Sequence, residues 1–244
     1  LLHLAAVTAN RMVLKYSIIR QEHSRLLIQH IRTPLTTLNT ISYLLEQPDL
    51  ANRKRLELAG ALRAGSMRLN ETIDIYEEID DLDEGRTLIQ KRETGMMELL
   101  HAACRKVSPL AAERGVRLAC NMLEVLPYID LDSARMERAV IQILSNAVLY
   151  NRKNGRVFLT AWSEAGKLLV HVQDNGNGIP AGDLPNVYER FYRARNAEKA
   201  APGVGLGLSL CKSIIQAHGG EITIKSKLGS GTGVTVKLPL EPIL

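Results

Sequence analysis

Three short stretches combine residue types and spacings that could do chemistry. The sharpest is Asp174-Asn175-Gly176-Asn177-Gly178-Ile179-Pro180, directly after an alternating apolar run. A carboxylate at a strand end can accept hydrogen bonds from an exocyclic amine such as that of adenine, and glycines let the backbone approach a flat base. The Asp/Asn spacing also resembles a calcium loop, but an EF-hand needs Glu at its twelfth position, where Pro185 stands. The second stretch is Gly203-Val204-Gly205-Leu206-Gly207-Leu208, which opens a helical run. Unpaired N–H groups at a helix N-terminus, with no Cβ atoms in the way, form a phosphate cradle. A dinucleotide fingerprint would need a strand immediately before it, and residues 195–202 are instead polar and alanine-rich; a Walker A lysine motif is absent too. The third is Asn146, inside the helical run Gln142-Ile143-Leu144-Ser145-Asn146-Ala147-Val148-Leu149-Tyr150. Its neutral amide oxygen can enter a magnesium shell between protein and triphosphate.

Groups like these need elements to hold them. Met12, Ile19 and Leu26 recur at heptad spacing, as in a helix seam that continues to Leu44-Leu45. Gln47-Pro48-Asp49 breaks this helix, and Asp49 is expected to cap the next. The second helix carries Leu58, Leu62, Leu69, Ile73 and Tyr76 on one face and ends near Glu84-Gly85. Such a hairpin could bury its stripe on the chain's own second domain, but because the stripe extends through both helices it is expected to pair with a second copy as a four-helix bundle. From about residue 93 the pattern is mixed. Met96 to Arg114 reads as helix, Val116 to Asn121 as strand, and Asp132 caps a helix through Tyr150. Arg156–Ser163 and Lys167–Gln173 alternate around the turn Glu164-Ala165-Gly166. Leu168, Val170 and Val172 point one way; Leu169, His171 and Gln173 point the other, which makes His171 a surface residue. Leu206–His218 reads as helix, and Glu221–Ser226 with Gly233–Leu238 form a closing hairpin around Gly229-Ser230-Gly231-Thr232. The fold class is α+β: a two-helix hairpin forming a dimeric four-helix bundle, then an α/β sandwich with a mixed sheet.

The 244 residues, 45% hydrophobic and 23% charged, suit one large or two modest soluble domains. The net charge of +5 does not mark a nucleic-acid binder, because basic and acidic residues interleave and two Phe and one Trp give no stacking platform. Cys104, Cys120 and Cys211 are in no metal spacing and read as thiols in a reducing cytosol. No apolar run is long enough to span a bilayer. The chain opens on Leu1 and is expected to be cut from a longer protein, cytoplasmic here and membrane-bound only through a missing N-terminal part.

Taken in order, Asn146, the DNGNGIP stretch, Glu189-Arg190-Phe191-Tyr192-Arg193, GVGLGL and GSGTG resemble the N, G1, F, G2 and final glycine boxes of histidine kinase catalytic domains. Upstream, Arg32-Thr33-Pro34-Leu35-Thr36 resembles the core of the H box in the dimerisation hairpin of the same family. The resemblance covers roughly residues 21–242. The wider gyrase-type ATPase superfamily shares the nucleotide boxes but not the hairpin. The resemblance implies a signalling or linker helix over 1–22, a dimerisation and phospho-acceptor hairpin over 23–86, and a catalytic ATP-binding domain over 90–244. It implies ATP and Mg²⁺ as cofactors, with Asp174 on adenine and Asn146 on the metal. Tyr150, Gly176, Gly178, Ile179, Gly203, Val204, Gly205, Leu206, Gly207, Leu208 and Thr232 would surround the nucleotide, under a lid at 194–202. The activity implied is protein-histidine kinase: phosphoryl transfer to a hairpin histidine, then to an aspartate of a separate response regulator. Thr33 matches a residue that assists the family's reverse, phosphatase activity.

The chain departs from this pattern in three places. Registering Arg32-Thr33-Pro34 on the H box puts Gln29 in the acceptor-histidine column and His30 in the acid column. An imidazole nitrogen has a free lone pair to attack phosphorus, whereas a carboxamide nitrogen has its lone pair delocalised. His30, one residue on, is rotated about 100° from the Gln29 and Thr33 face. Gln142 takes the place of the first N-box asparagine, a weaker metal ligand, and Leu149 takes that of a basic residue. The alternative function is a degenerate, non-catalytic dimeric signalling module that still binds nucleotide.

Overall fold

The computed structural model describes residues 25–122, 125–197 and 203–240. Met12 and Ile19 of the expected seam, and 198–202 of the expected lid, lie outside the described residues. The chain divides into two compact units, Leu1–Asp74 and Ile75–Leu244.

In the first unit, helix α1 runs over 25–45 and helix α2 begins at Asn52. Pro48 ends the first helix as expected, but Asp49 does not cap the second. It lies inside a turn closed by Leu50 N–H donating to Gln47 C=O at 3.4 Å, three residues ahead of Asn52. The two helices meet closely where Gly65 faces Leu38: a methyl group at Gly65 would lie 2.7 Å from Leu38 Cδ2. Leu27, Ile31 and Leu38 on α1, with Leu58, Leu62 and Leu69 on α2, remain only half-buried in the single chain.

Helix α2 ends at Asp83, and Gly85 follows in the left-handed region at φ +65°. From Ile75 on it belongs to the second unit. There Ile79 and Leu82 are buried, and the guanidinium of Arg190 pairs with Asp80 at 3.2 Å and Asp83 at 2.7 Å. Burial pushes the Asp80 carboxyl up, but hydrogen bonds from Arg86 and Arg190 outweigh it and hold that carboxyl below its usual range.

The rest of this unit is a helix layer on a sheet. Strands β1 (Arg92–Gly95) and β3 (Tyr128–Leu131) make a two-stranded ribbon. Strands β2 (Arg117–Met122), β4 (Arg156–Glu164), β5 (Lys167–Asp174), β6 (Glu221–Lys227) and β7 (Gly231–Pro239) make a mixed sheet in the order β2-β4-β5-β7-β6. Only the β2–β4 pair is parallel. Val157, Leu159, Leu168, Val170, Val172, Val234 and Val236 point to one face and are buried there by helices α3 (Met96–Glu113), α4 (Ser133–Leu149) and α5 (Gly207–Ala217). The alternation of β5 is as read from sequence, and His171 on the open face binds Thr235 across the strands at 2.9 Å. Asp132 caps α4, accepting from Arg135 N–H at 3.1 Å.

Three features differ from the sequence reading. The ribbon strands were not anticipated: four residues each is too short for a periodic signal. Gly231 and Thr232 belong to β7, paired with Lys227 and Ser226, so the turn is only Leu228-Gly229-Ser230. Cys104 and Cys120 are joined as a disulfide with Cα atoms 6.9 Å apart, because packing of α3 on β2 brings together residues 16 apart in sequence. Cys211 is a buried thiol, pushed up to about 12 by its burial. Among the described residues, no helix is long and apolar enough to cross a membrane.

Candidate functional site

The site grows out of the end of β5. The row Leu168, Val170, Val172 continues to Asp174, so the strand's own alternation points this carboxylate toward the helix-covered face. Asp174 is 9% exposed. Its Oδ1 accepts from Gly176 N–H at 2.7 Å and Thr232 N–H at 3.2 Å. Burial pushes the carboxyl above its usual range, and these two N–H groups only partly offset it. Oδ2 makes no hydrogen bond among the described residues, which leaves one acceptor for a ligand.

Helix α4 forms one wall, and its backbone is stitched to the loop after β5: Asn177 N–H donates to Tyr150 C=O at 3.1 Å. Asn146 lies one turn before Tyr150, and Gln142 one turn earlier still. Gln142 Nε2 donates to Asn146 Oδ1 at 3.2 Å. The far wall is the start of α5, where a methyl group on Gly207 would lie 2.3 Å from Gln142 Nε2. From Gln142 to Tyr150 the helix rises about 12 Å. This edge therefore links the glycine loop that opens α5 to the one that follows β5. Two glycines are irreplaceable on backbone grounds. Gly178 has φ +65° and a methyl there would sit 2.1 Å from Lys227 C=O; Gly205 has φ +83° and a methyl there would sit 2.6 Å from Tyr192 C=O.

A buried carboxylate with one free oxygen, two amides in line along a helix, and a helix start with room only for glycine fit an adenine nucleotide with Mg²⁺. Among the described residues no cluster of three or more His, Cys, Asp or Glu side chains could hold a metal. Any magnesium here would be bound through amide oxygen and phosphate.

Comparison with known proteins decides the family of this region. Residues 131–242 match the family described as histidine kinase-, DNA gyrase B-, and HSP90-like ATPase. The chain carries a histidine-kinase-type ATPase domain. It is 31% identical over 212 residues to the histidine protein kinase DivJ of Caulobacter vibrioides, covering 86% of this chain and 36% of the relative. It is 29% identical over 214 residues to the alginate biosynthesis sensor protein KinB of Pseudomonas aeruginosa, covering 86% and 35%. The chain thus spans about a third of the length of the curated relatives it matches. The fold is shared with the histidine kinase ThkA, solved in complex with the response regulator protein TrrA, at a TM-score of 0.72 and 20% identity over 93% of this chain and 63% of that one.

Within the ATPase domain Asp174 bonds Gly176 and Thr232, Gly176 packs on Tyr150, Ile179 and Gly178 follow on the same loop, and Gly207 packs on Gln142, which bonds Asn146. Along the start of α5, Val204, Gly205 and Leu208 are half-buried and Leu206 is buried. Gly203 is exposed where the described chain resumes. Gln29, His30, Arg32 and Thr33 lie on α1, in the first unit. Gln29, Arg32 and Thr33 are exposed there, while His30 is half-buried on the stripe with Leu27, Ile31 and Pro34.

Three polar side chains of the ATPase domain were missed from sequence. Asp183, 4% exposed, accepts from Arg195 N–H at 3.0 Å, and Asn196 Nδ2 donates to Gly178 C=O at 2.8 Å. These two pin the first residues of the expected lid. Ser226 on β6 accepts from Ile179 N–H at 2.8 Å. Small polar residues in loops and strands have no periodic signature, and only the pairing of β6 with β7 reveals Ser226 as part of the site.

Proposed function

We propose that this chain is the core of a sensor histidine kinase that binds Mg-ATP in its second unit and works as a homodimer in the cytoplasm. The observation that carries the reading is Asp174: a buried carboxylate with a free oxygen, held in place by the N–H groups of Gly176 and Thr232. Bound Mg-ATP would supply the phosphoryl group and the cation that screens its charge. Asp174 accepts from the adenine amine, and Thr232 stands beside it. Asn146 offers its amide oxygen to the metal, with Gln142 holding that amide in place. The N–H groups at the start of α5 receive phosphate oxygens, since the glycines there leave the backbone uncovered. In a chain with histidine at position 29, a neutral imidazole nitrogen would attack the γ-phosphorus as its bond to the β,γ-bridging oxygen breaks and ADP leaves, and the phosphoryl group would then pass to an aspartate of a response regulator. Thr33, exposed on the same face as Gln29, suits the reverse, phosphatase reaction. The half-buried stripe of the hairpin supports pairing of two copies.

A second reading rests on the H-box register, which puts Gln29 in the acceptor-histidine column, where an amide cannot be the nucleophile. As it stands, the chain would then signal through its dimer while still binding nucleotide. Incubation with γ-labelled ATP separates the two. The chain with Gln29 is expected to take no label, and Gln29→His to gain acid-labile, alkali-stable phosphate. Label on the unsubstituted chain that disappears in His30→Ala would refute the register. No label on either chain would favour the non-catalytic module.

A further inference from the structure

The helix-covered face of the sheet ends in a polar row across three adjacent strands: Asp174 on β5, Thr232 on β7 and Ser226 on β6. Ser226 and Thr232 are direct cross-strand partners. Ser226 Oγ has three neighbours: Ile179 N–H at 2.8 Å, Gly231 C=O at 2.9 Å and Thr232 Oγ1 at 2.8 Å. A hydroxyl has one proton and two lone pairs. A carbonyl can only accept, so the Ser226 proton goes to Gly231. An amide N–H can only donate, so Ile179 takes one lone pair. The remaining lone pair must receive the proton of Thr232, and the direction of that bond is fixed.

We propose, building on the adenine-site reading, that Ser226 is a specificity-determining positioning residue. It holds the Thr232 proton away from the ligand, so that Thr232 Oγ1 presents a lone pair next to Asp174 Oδ2. Thr232 N–H is already committed to Asp174 Oδ1, at 3.2 Å, which ties the carboxylate to the Thr232 backbone. Two adjacent acceptors match the two hydrogens of a 6-amino group. They oppose the carbonyl oxygen of a 6-oxo purine, because acceptor meets acceptor and buried polar groups are left unpaired. The device selects adenine over hypoxanthine or guanine nucleotides without Ser226 touching the base.

The test is calorimetry of the full chain with Mg-ADP and Mg-IDP. The unsubstituted chain is expected to bind ADP tighter than IDP by about tenfold or more. In Ser226→Ala the Thr232 hydroxyl is released to donate to a 6-oxo group. The ADP-to-IDP ratio should then fall several-fold, and Ser226→Thr, which keeps the hydroxyl, should restore it. Thr232→Val should lower the ratio as well, and this arm does not depend on Ser226→Ala folding. A merely structural role for Ser226 would weaken both nucleotides alike. An unchanged ratio in Ser226→Ala and Thr232→Val overturns the inference and leaves the adenine site intact. Binding of neither nucleotide by the unsubstituted chain overturns the adenine-site reading itself, and this inference with it.

Discussion

Replacing Asp174 with Asn changes one atom and reverses one hydrogen bond. In the native site Oδ1 is held by Gly176 N–H at 2.7 Å and Thr232 N–H at 3.2 Å, so only Oδ2 is available to a ligand. An asparagine must keep its oxygen on those two donors, and its NH₂ therefore takes the Oδ2 position. A donor then meets the adenine amine, itself a donor. The loss is that of a charge-assisted hydrogen bond, about 1.5–3 kcal/mol. The Kd for Mg-ADP should rise roughly tenfold to a hundredfold. Stability without nucleotide should move the other way. Burial raises the Asp174 carboxyl, so its ionised form costs the folded state stability once pH passes the unfolded value of about 3.9. A neutral amide removes that cost, and the nucleotide-free Tm should hold or rise. Calorimetry of both proteins, with a thermal melt of each, checks the pair of expectations. Equal ADP affinity in the two would remove Asp174 from the adenine site. Lost affinity together with a lowered Tm would show misfolding rather than a reversed hydrogen bond.

Two further outcomes are expected. The chain should be a dimer at micromolar concentration by light scattering, and Leu62→Lys with Leu69→Lys should dissociate it, since an unpaired charge in an apolar seam is costly; a monomeric unsubstituted chain would refute the bundle. His218 should make the second unit acid-sensitive. Its Nε2 accepts from Asp132 N–H at 2.9 Å and its Nδ1 faces Ile214 C=O at 2.7 Å, so the ring is neutral and burial holds its pKa below the usual value. The folded value lies below the unfolded one, so this contribution is complete above about pH 6.5 and is lost as pH falls. Urea midpoints should therefore drop between pH 7 and 5, and His218→Gln should flatten that slope; parallel slopes would clear His218.

Much of this protein follows from local patterns. The helices from Met96 and from Leu206, the cap at Asp132, and the alternation that buries Val170 while exposing Gln173 are all set by neighbours within a turn or a strand. A strand's period of two also dictates that Asp174 falls on the same face as Val172. Glycine boxes are readable because backbone that bends to the left where an added methyl would lie 2.1 Å from a carbonyl oxygen, as at Gly178, tolerates nothing larger. That Gln29 cannot itself accept a phosphoryl group is legible too, since nucleophilicity belongs to the side chain and not to its surroundings.

Tertiary structure decided the rest. Cys104 and Cys120 pair only because α3 packs on β2, and β1 finds its partner β3 across the whole of α3 and β2. Asp49 failed as a cap because a turn with Gln47 claimed it first. The division at Asp74 assigns the end of α2 to the ATPase-domain unit, through Ile79, Leu82 and the Arg190 pairings that no helical period reveals. The orientation of the Thr232 hydroxyl is decided furthest from sequence of all. It depends on counting protons around Ser226, whose partners come from two other segments, the loop after β5 and the start of β7, that only the folded sheet sets beside β6.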